Sequence, residues 1–146
     1  MNSKIKNLIT AVNVFDKNAE RLVIELSKGK QLTIKKMNTD QLEDRGIKAD
    51  GSSIIPKYAE STKRRKRKLG QTTTHVTLKD KGDFHGSFEI VYGEDSFQLV
   101  SNDEKARWLI KRYGTSILGL TAQNIGNLSQ ILKPDFTELF FQVILR

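Results

Sequence analysis

Residues 63–68 read Lys-Arg-Arg-Lys-Arg-Lys, and this run of six cations is the part of the chain best equipped to act on an anion. Lys63, Arg64, Arg65, Lys66, Arg67 and Lys68 supply most of the formal net charge of +8, and the rest of the sequence is close to balanced. Charge concentrated in this way attracts DNA phosphates or an acidic protein surface. The same charges repel one another, which predicts a solvated loop or a fraying helix rather than a piece of core, unless an anion neutralises them. Solubilising surface charge is the competing reading. No aromatic residue lies between Ser61 and Thr74. The base stacking used by single-strand binders is therefore missing, and DNA contact is expected to be independent of sequence and to run through the backbone.

Catalytic material is scarce. Asp83, His85 and Ser87 alternate along a predicted strand and so share a face. Alternate residues on one strand stand about 6.5–7 Å apart with parallel side chains, whereas a hydrolase triad needs convergent contacts near 3 Å. A solvated polar face explains them better. Asp80, Asp83, Glu94 and Asp95 read as turn residues, and the chain has neither a GxxxxGK nor an HExxH pattern. The absence of cysteine excludes disulfides, thiolate metal sites and cysteine nucleophiles, and the two histidines, His75 and His85, leave little for a zinc site. No enzymatic activity, cofactor or metal is expected.

The elements that must position the basic run change period along the chain. Ile5, Leu8, Ile9, Val12, Phe15, Ala19, Leu22, Val23 and Leu26 recur at helical spacing. They predict a helix over 3–27, capped by Ser3, ended by Gly29 and about 37 Å long. Its stripe either folds onto the protein's own sheet or packs on a neighbouring subunit. A second helix is predicted over 30–45, with Leu32, Ile34, Met37, Gln41 and Leu42 inward and Gly46 at its end. Asp50-Gly51-Ser52-Ser53 makes a turn, and Pro56 interrupts any helix before Tyr58. Residues 83–92 alternate, placing Phe84, Phe88, Ile90 and Tyr92 on one face of a strand opposite Asp83, His85, Ser87 and Glu89. Residues 96–101 pair with it across the Gly93-Glu94-Asp95 turn, and Val76-Thr77-Leu78 adds a short strand. Gly82, in the turn that launches the long strand, is expected at positive φ. Helices follow over 103–113, with Ala106, Leu109 and Ile110 inward, over 121–132 from a Thr121 cap, and from Pro134 onward. Phe136, Phe140, Phe141 and Ile144 are expected in the core, with an interface as the alternative.

These elements predict one α+β domain over 1–146, with a long N-terminal helix and C-terminal helices packed on a small antiparallel β-sheet. The parts are N-terminal helices over 1–46, an extended loop carrying the basic run over 47–75, antiparallel strands over 76–102 and C-terminal helices over 103–146. A chain of this length can bury roughly 68–70% of its unfolded surface. No apolar run approaches the roughly 20 residues that cross a bilayer, and the N-terminus lacks the apolar stretch of a signal peptide, so an intracellular protein without membrane contact is expected.

The stretch from Asp50 to Phe88 also resembles a family. It has a turn at Asp50-Gly51, an aromatic at Tyr58, Thr62, a basic segment, then Val76-Thr77-Leu78-Lys79-Asp80-Lys81-Gly82-Asp83-Phe84 and Ser87-Phe88. This order is similar to the core pattern of bacteriophage virion-morphogenesis and tail-completion proteins of the Mu-like kind. Its form is like that of phages of Bacteroides-type bacteria, the crAss-like group among them. Gly51, Tyr58, Thr62, Leu78, Gly82, Phe84 and Ser87 carry the likeness. Lys81 stands where a Thr is common, and Asp83-Phe84 replaces a small residue followed by Leu. The resemblance implies a structural protein, made in the host cytoplasm, that forms a homo-oligomeric ring in the head-tail connector, neck or tail of a virion. Its implied neighbours are other tail or connector proteins, with the basic loop against DNA or an acidic subunit. The alternative is a free, non-specific nucleic-acid-binding accessory protein.

Overall fold

In the computed structural model, which describes residues 3–145, six α-helices surround a two-stranded antiparallel sheet, the expected α+β class. The order is α1 (Ser3–Lys28), α2 (Gln31–Glu43), α3 (Glu60–Lys68), α4 (Asp83–Gly86), β1 (Phe88–Tyr92), β2 (Phe97–Ser101), α5 (Ala106–Tyr113), a 3₁₀ turn at Thr115–Ile117 and α6 (Ala122–Ile144).

The core has two lobes. One gathers Leu42, Ile54, Val76, Leu78, Phe84, Phe88, Leu109 and Ile117 between α2, α5 and the loops. The other joins Ile34 of α2 to Leu99 of β2 and to Leu120, Leu128 and Leu132. Phe88 pairs with Ser101, Ile90 with Leu99 and Tyr92 with Phe97. The predicted inward face of Phe88, Ile90 and Tyr92 is therefore correct, while Val91 on the other face is exposed. A buried amide network ties α2 to the segment before α6. Asn38 Nδ2 donates to the Ile117 carbonyl, and Gly119 N–H donates to Asn38 Oδ1. Gln41 Nε2 donates to the Gly119 carbonyl, while its Oε1 accepts from Thr121 N–H and Asn124 Nδ2.

Helices α1 and α6 pack side by side. Phe15 meets Phe136 and Phe140 edge-on at 5.2 and 4.9 Å, and Val23 and Ile24 face Leu128 and Leu132, so the pair is antiparallel. Toward its free end the pair leaves the core behind. Ile5, Leu8, Ile9 and Val12 of α1 and Phe141 and Val143 of α6 are exposed.

Several expectations are corrected. The 47–75 region is not one extended loop, because the basic run folds as α3. Glu60 stands in the first turn of α3 and Arg65, Lys66, Arg67 and Lys68 in its last, the arrangement that the helix dipole favours. Residues 76–78 form no strand, and the predicted strand begins only at Phe88, because Asp83–Gly86 is a helical turn. Ser3 is already helical rather than a flanking cap. The second helix spans only Gln31–Glu43, and Leu32 faces solvent, 82% exposed. Helix α5 starts at Ala106, three residues after the predicted Asp103. Pro134 does not begin a new segment: α6 runs through it, at an exposed position where losing one hydrogen bond costs least. The Thr121 cap is as predicted, accepting from Asn124 N–H at 3.2 Å.

Gly82 has φ +97, as expected, although it precedes the α4 turn and not a strand. A Cβ there would touch nothing within 4 Å, so the cost of a side chain is conformational alone. Gly82→Val is predicted to lower stability by more than about 1 kcal/mol, while Gly82→Asn, whose side chain tolerates left-handed backbone, loses distinctly less. Urea unfolding of both variants checks this; equal midpoints would contradict it.

Candidate partner-binding cleft under the basic helix

Helix α3 does not present its six cations as one patch. Lys63 donates to Glu60 at 2.9 Å, and this contact holds the Glu60 carboxyl below its ordinary range. Arg65 pairs with Asp80 at 3.0 Å. Lys66 turns inward and is only 3% exposed. Its ammonium donates to Gln71 Oε1 at 2.9 Å and to the Lys79 carbonyl, with the Tyr58 ring 4.8 Å away. Arg64, Arg67 and Lys68 remain exposed, without an ion pair among the described residues. The expectation of six contact cations is corrected at Lys66, which is held within the fold, and at Lys63 and Arg65, which are ion-paired.

Below α3 lies a cleft of about 400 Å³ closed by the 78–84 turn and α5. Tyr58, Thr62, Leu78 and Phe84 line it, so four of the seven residues that carry the family likeness converge here. Gly51 lies outside, in the turn where Asp50 Oδ1 accepts from Ser52 N–H and Oγ. Tyr58 Oη accepts from Thr77 N–H at 2.9 Å, which fixes the ring beneath Lys66. Leu78 has φ +56, a conformation costly for a branched side chain, and the Lys79 carbonyl beyond it meets Lys66. The rim carries Lys57, Arg65, Lys81, Lys105 and Arg112 against Asp80, Asp83 and Asp103. Arg112 lies 5.5 Å from the rings of Trp108 and Tyr113. Such a surface, apolar at its floor and net positive at its rim, suits an acidic segment with an apolar anchor. The α5 half of this cleft was missed, although the i, i+4 spacing of Trp108 and Arg112 placed them on one exposed face.

The Asp83, His85 and Ser87 constellation is not assembled as a triad. Ser87 Oγ donates to the Phe84 carbonyl and meets Ser101 Oγ, both at 2.6 Å, instead of engaging His85. The His85 ring is buried against Phe84 and Phe88, and neither nitrogen has a hydrogen-bond partner. Glu43 Oε2 stands 3.7 Å from Nδ1, while the other oxygen of that carboxylate, Oε1, accepts from Lys79 Nζ. Burial pushes the His85 pKa below its ordinary 6.5, against the opposing pull of the Glu43 carboxylate. A base whose pKa is lower in the folded state loses stability as pH falls through the unfolded value, because the unfolded chain binds the proton first. Stability is predicted to fall below pH 6.5 by at most about 1.4 kcal/mol per unit from this group, and His85→Leu should flatten that slope. Urea midpoints at stepped pH read the effect; an unchanged slope in the variant would contradict it. Among the described residues no group of three or more His, Asp or Glu is placed to hold a metal, and no helix is long and apolar enough to cross a membrane.

Searches against protein families, curated proteins and solved structures give no match for this chain.

Proposed function

We propose that this chain is a structural subunit of a phage head-tail connector or tail that works as a closed homo-oligomeric ring, with α3 facing DNA or an acidic neighbour. The observation that carries this reading is an excess of surface. The chain exposes 9810 Å². A folded monomer of 146 residues is expected to expose about 7,600 Å². The difference of about 2,200 Å² is of the order that one standard protein interface removes from its two partners together. Exposed apolar residues along the α1–α6 pair and the resemblance over residues 50–88 support the same reading. Mass spectrometry of purified virions tests it: the chain should be present in multiple copies per particle, and its absence would refute the proposal.

The accessory-protein alternative rests on α3 and makes a different demand. With only Arg64, Arg67 and Lys68 free, three phosphate contacts give a salt slope of about 2.7, hence about a fortyfold loss of affinity between about 50 and 200 mM salt. Six contacts would give about a thousandfold loss. Filter binding of duplex DNA should show the smaller slope, and Arg64→Ser, Arg67→Ser and Lys68→Ser together should remove it. A slope near that of six contacts would show that Lys63, Arg65 and Lys66 leave their present partners.

A further inference from the structure

The exposed end of the α1–α6 pair has a counterpart elsewhere on the same molecule. A groove of about 800 Å³ opens between the base of that pair, β2 and the 115–120 segment. Val23, Ile24, Phe97, Leu118, Ile125 and Leu128 make it chiefly apolar, and among the described residues Asp95 is the one charged residue on its lining. Val23 and Ile125 are exposed within it. The molecule thus carries a convex apolar arm, with Leu8, Ile9 and Val12 at 45, 47 and 40% exposure, and a concave apolar groove.

The arm cannot fill its own groove. Phe15 sits opposite Phe136 and Phe140, which places Ile125 beside the far end of α1. Leu8 and Ile125 are then about 30 Å apart along the pair, at 1.5 Å per residue. Both helices are continuous between these points. A second copy has no such restriction.

We infer that the α1–α6 arm of one copy docks in the apolar groove at the base of the next, so that the chain assembles head to tail. The inference rests on the ring reading and specifies its interface. One arm and one groove per subunit make a heterologous contact, which closes into a ring where the rotation between copies allows and otherwise extends as a filament. The area agrees: a subunit that gives one arm and one groove loses as much surface as one interface buries, and the excess of about 2,200 Å² lies just above the standard range of about 1,200–2,000 Å², at the low end of obligate interfaces. Charge agrees as well. Lys6 is exposed on the arm, no acidic residue precedes Asp16 in α1, and Asp95 stands at the groove.

The chain has no cysteine, so introduced ones report cleanly. Leu8→Cys and Ile125→Cys proteins are prepared separately, mixed and oxidised under mild conditions. The mixture should yield a disulfide-linked Leu8→Cys–Ile125→Cys dimer, and neither protein should cross-link alone. Leu8→Asp, at a position already half in solvent, should keep the thermal melt and raise the concentration needed for assembly about tenfold or more. If Leu8→Cys alone cross-links, arms pair with arms and the inference is wrong. If the unaltered chain is oligomeric by light scattering but the mixed disulfide never forms, this contact fails while the ring reading stands. If the unaltered chain is monomeric, both fail.

Discussion

Replacing Gln41 with leucine is expected to lower the unfolding free energy by about 4 kcal/mol, a severe loss for a domain of this size. The side chain is 1% exposed. Its carboxamide holds three partners, the Gly119 carbonyl at 3.0 Å and Thr121 N–H and Asn124 Nδ2 at 2.9 Å each. Leucine fills a similar volume, so the packing change is small and the loss is polar. The Gly119 carbonyl and Thr121 N–H are left unpaired, at about 1–3 kcal/mol each. The Asn124 Nδ2 group retains only a 3.4 Å contact to the Met37 carbonyl. Asn38 holds the same segment through Ile117 and Gly119, so Asn38→Leu with Gln41→Leu should cost less than the two singly combined. Urea unfolding measures the effect, and a loss below about 1 kcal/mol would show that water or backbone movement satisfies the freed groups.

Lys66→Ala is expected to cost about 3 kcal/mol, whereas Ala at Arg64, Arg67 or Lys68 should change stability by less than about 0.5 kcal/mol. Six adjacent cations thereby divide into one that holds the fold, two that are ion-paired, Lys63 with Glu60 and Arg65 with Asp80, and three that are free to meet a partner. The alanine at position 66 removes the packed aliphatic stem, the contact over the Tyr58 ring and two hydrogen bonds from a charged donor. It also strands the Lys79 carbonyl in the turn that follows the left-handed Leu78. Lys66→Met keeps the stem and should fall between. Thermal melts of the four alanine variants decide the matter; a Lys66→Ala melt like that of Arg64→Ala would contradict the account.

Where local pattern dictates structure, the sequence was readable. The stripe of α1, the Thr121 cap, the Gly46 stop and the 88–92 alternation all report on neighbours three or four residues away, or two in a strand, and these elements form much as expected. Gly46 is required twice over, by φ +60 and because a Cβ would sit 2.6 Å from the His75 ring. The failures lie where distant partners decide. Like-charge repulsion predicted a solvated loop or a fraying helix at 63–68; the helix is what forms, because Glu60, Asp80 and the acceptors around Lys66 offset the repulsion, and Asp80 and the Lys79 carbonyl lie beyond the helix. Alternation over 83–87 predicted strand, yet the left-handed Gly82 starts a helical turn and sends Phe84 to the cleft. Gln41 sat on the expected inner face of α2, but nothing local revealed that its partners come from residues 119–124. The cleft was half legible: Tyr58, Thr62, Leu78 and Phe84 were singled out, whereas Trp108 and Arg112 joined them only through folding.

The central claim is that an interface between copies, rather than any pocket, carries the function. Native mass spectrometry of the intact chain at about 100 µM, above the micromolar range of weak interfaces of standard size, tests it most directly. One closed oligomer of fixed subunit number is predicted, which in the Leu8→Asp variant dissociates on dilution at about tenfold higher concentration or more while its circular dichroism is unchanged. A wild-type spectrum containing only monomer at that concentration would contradict it.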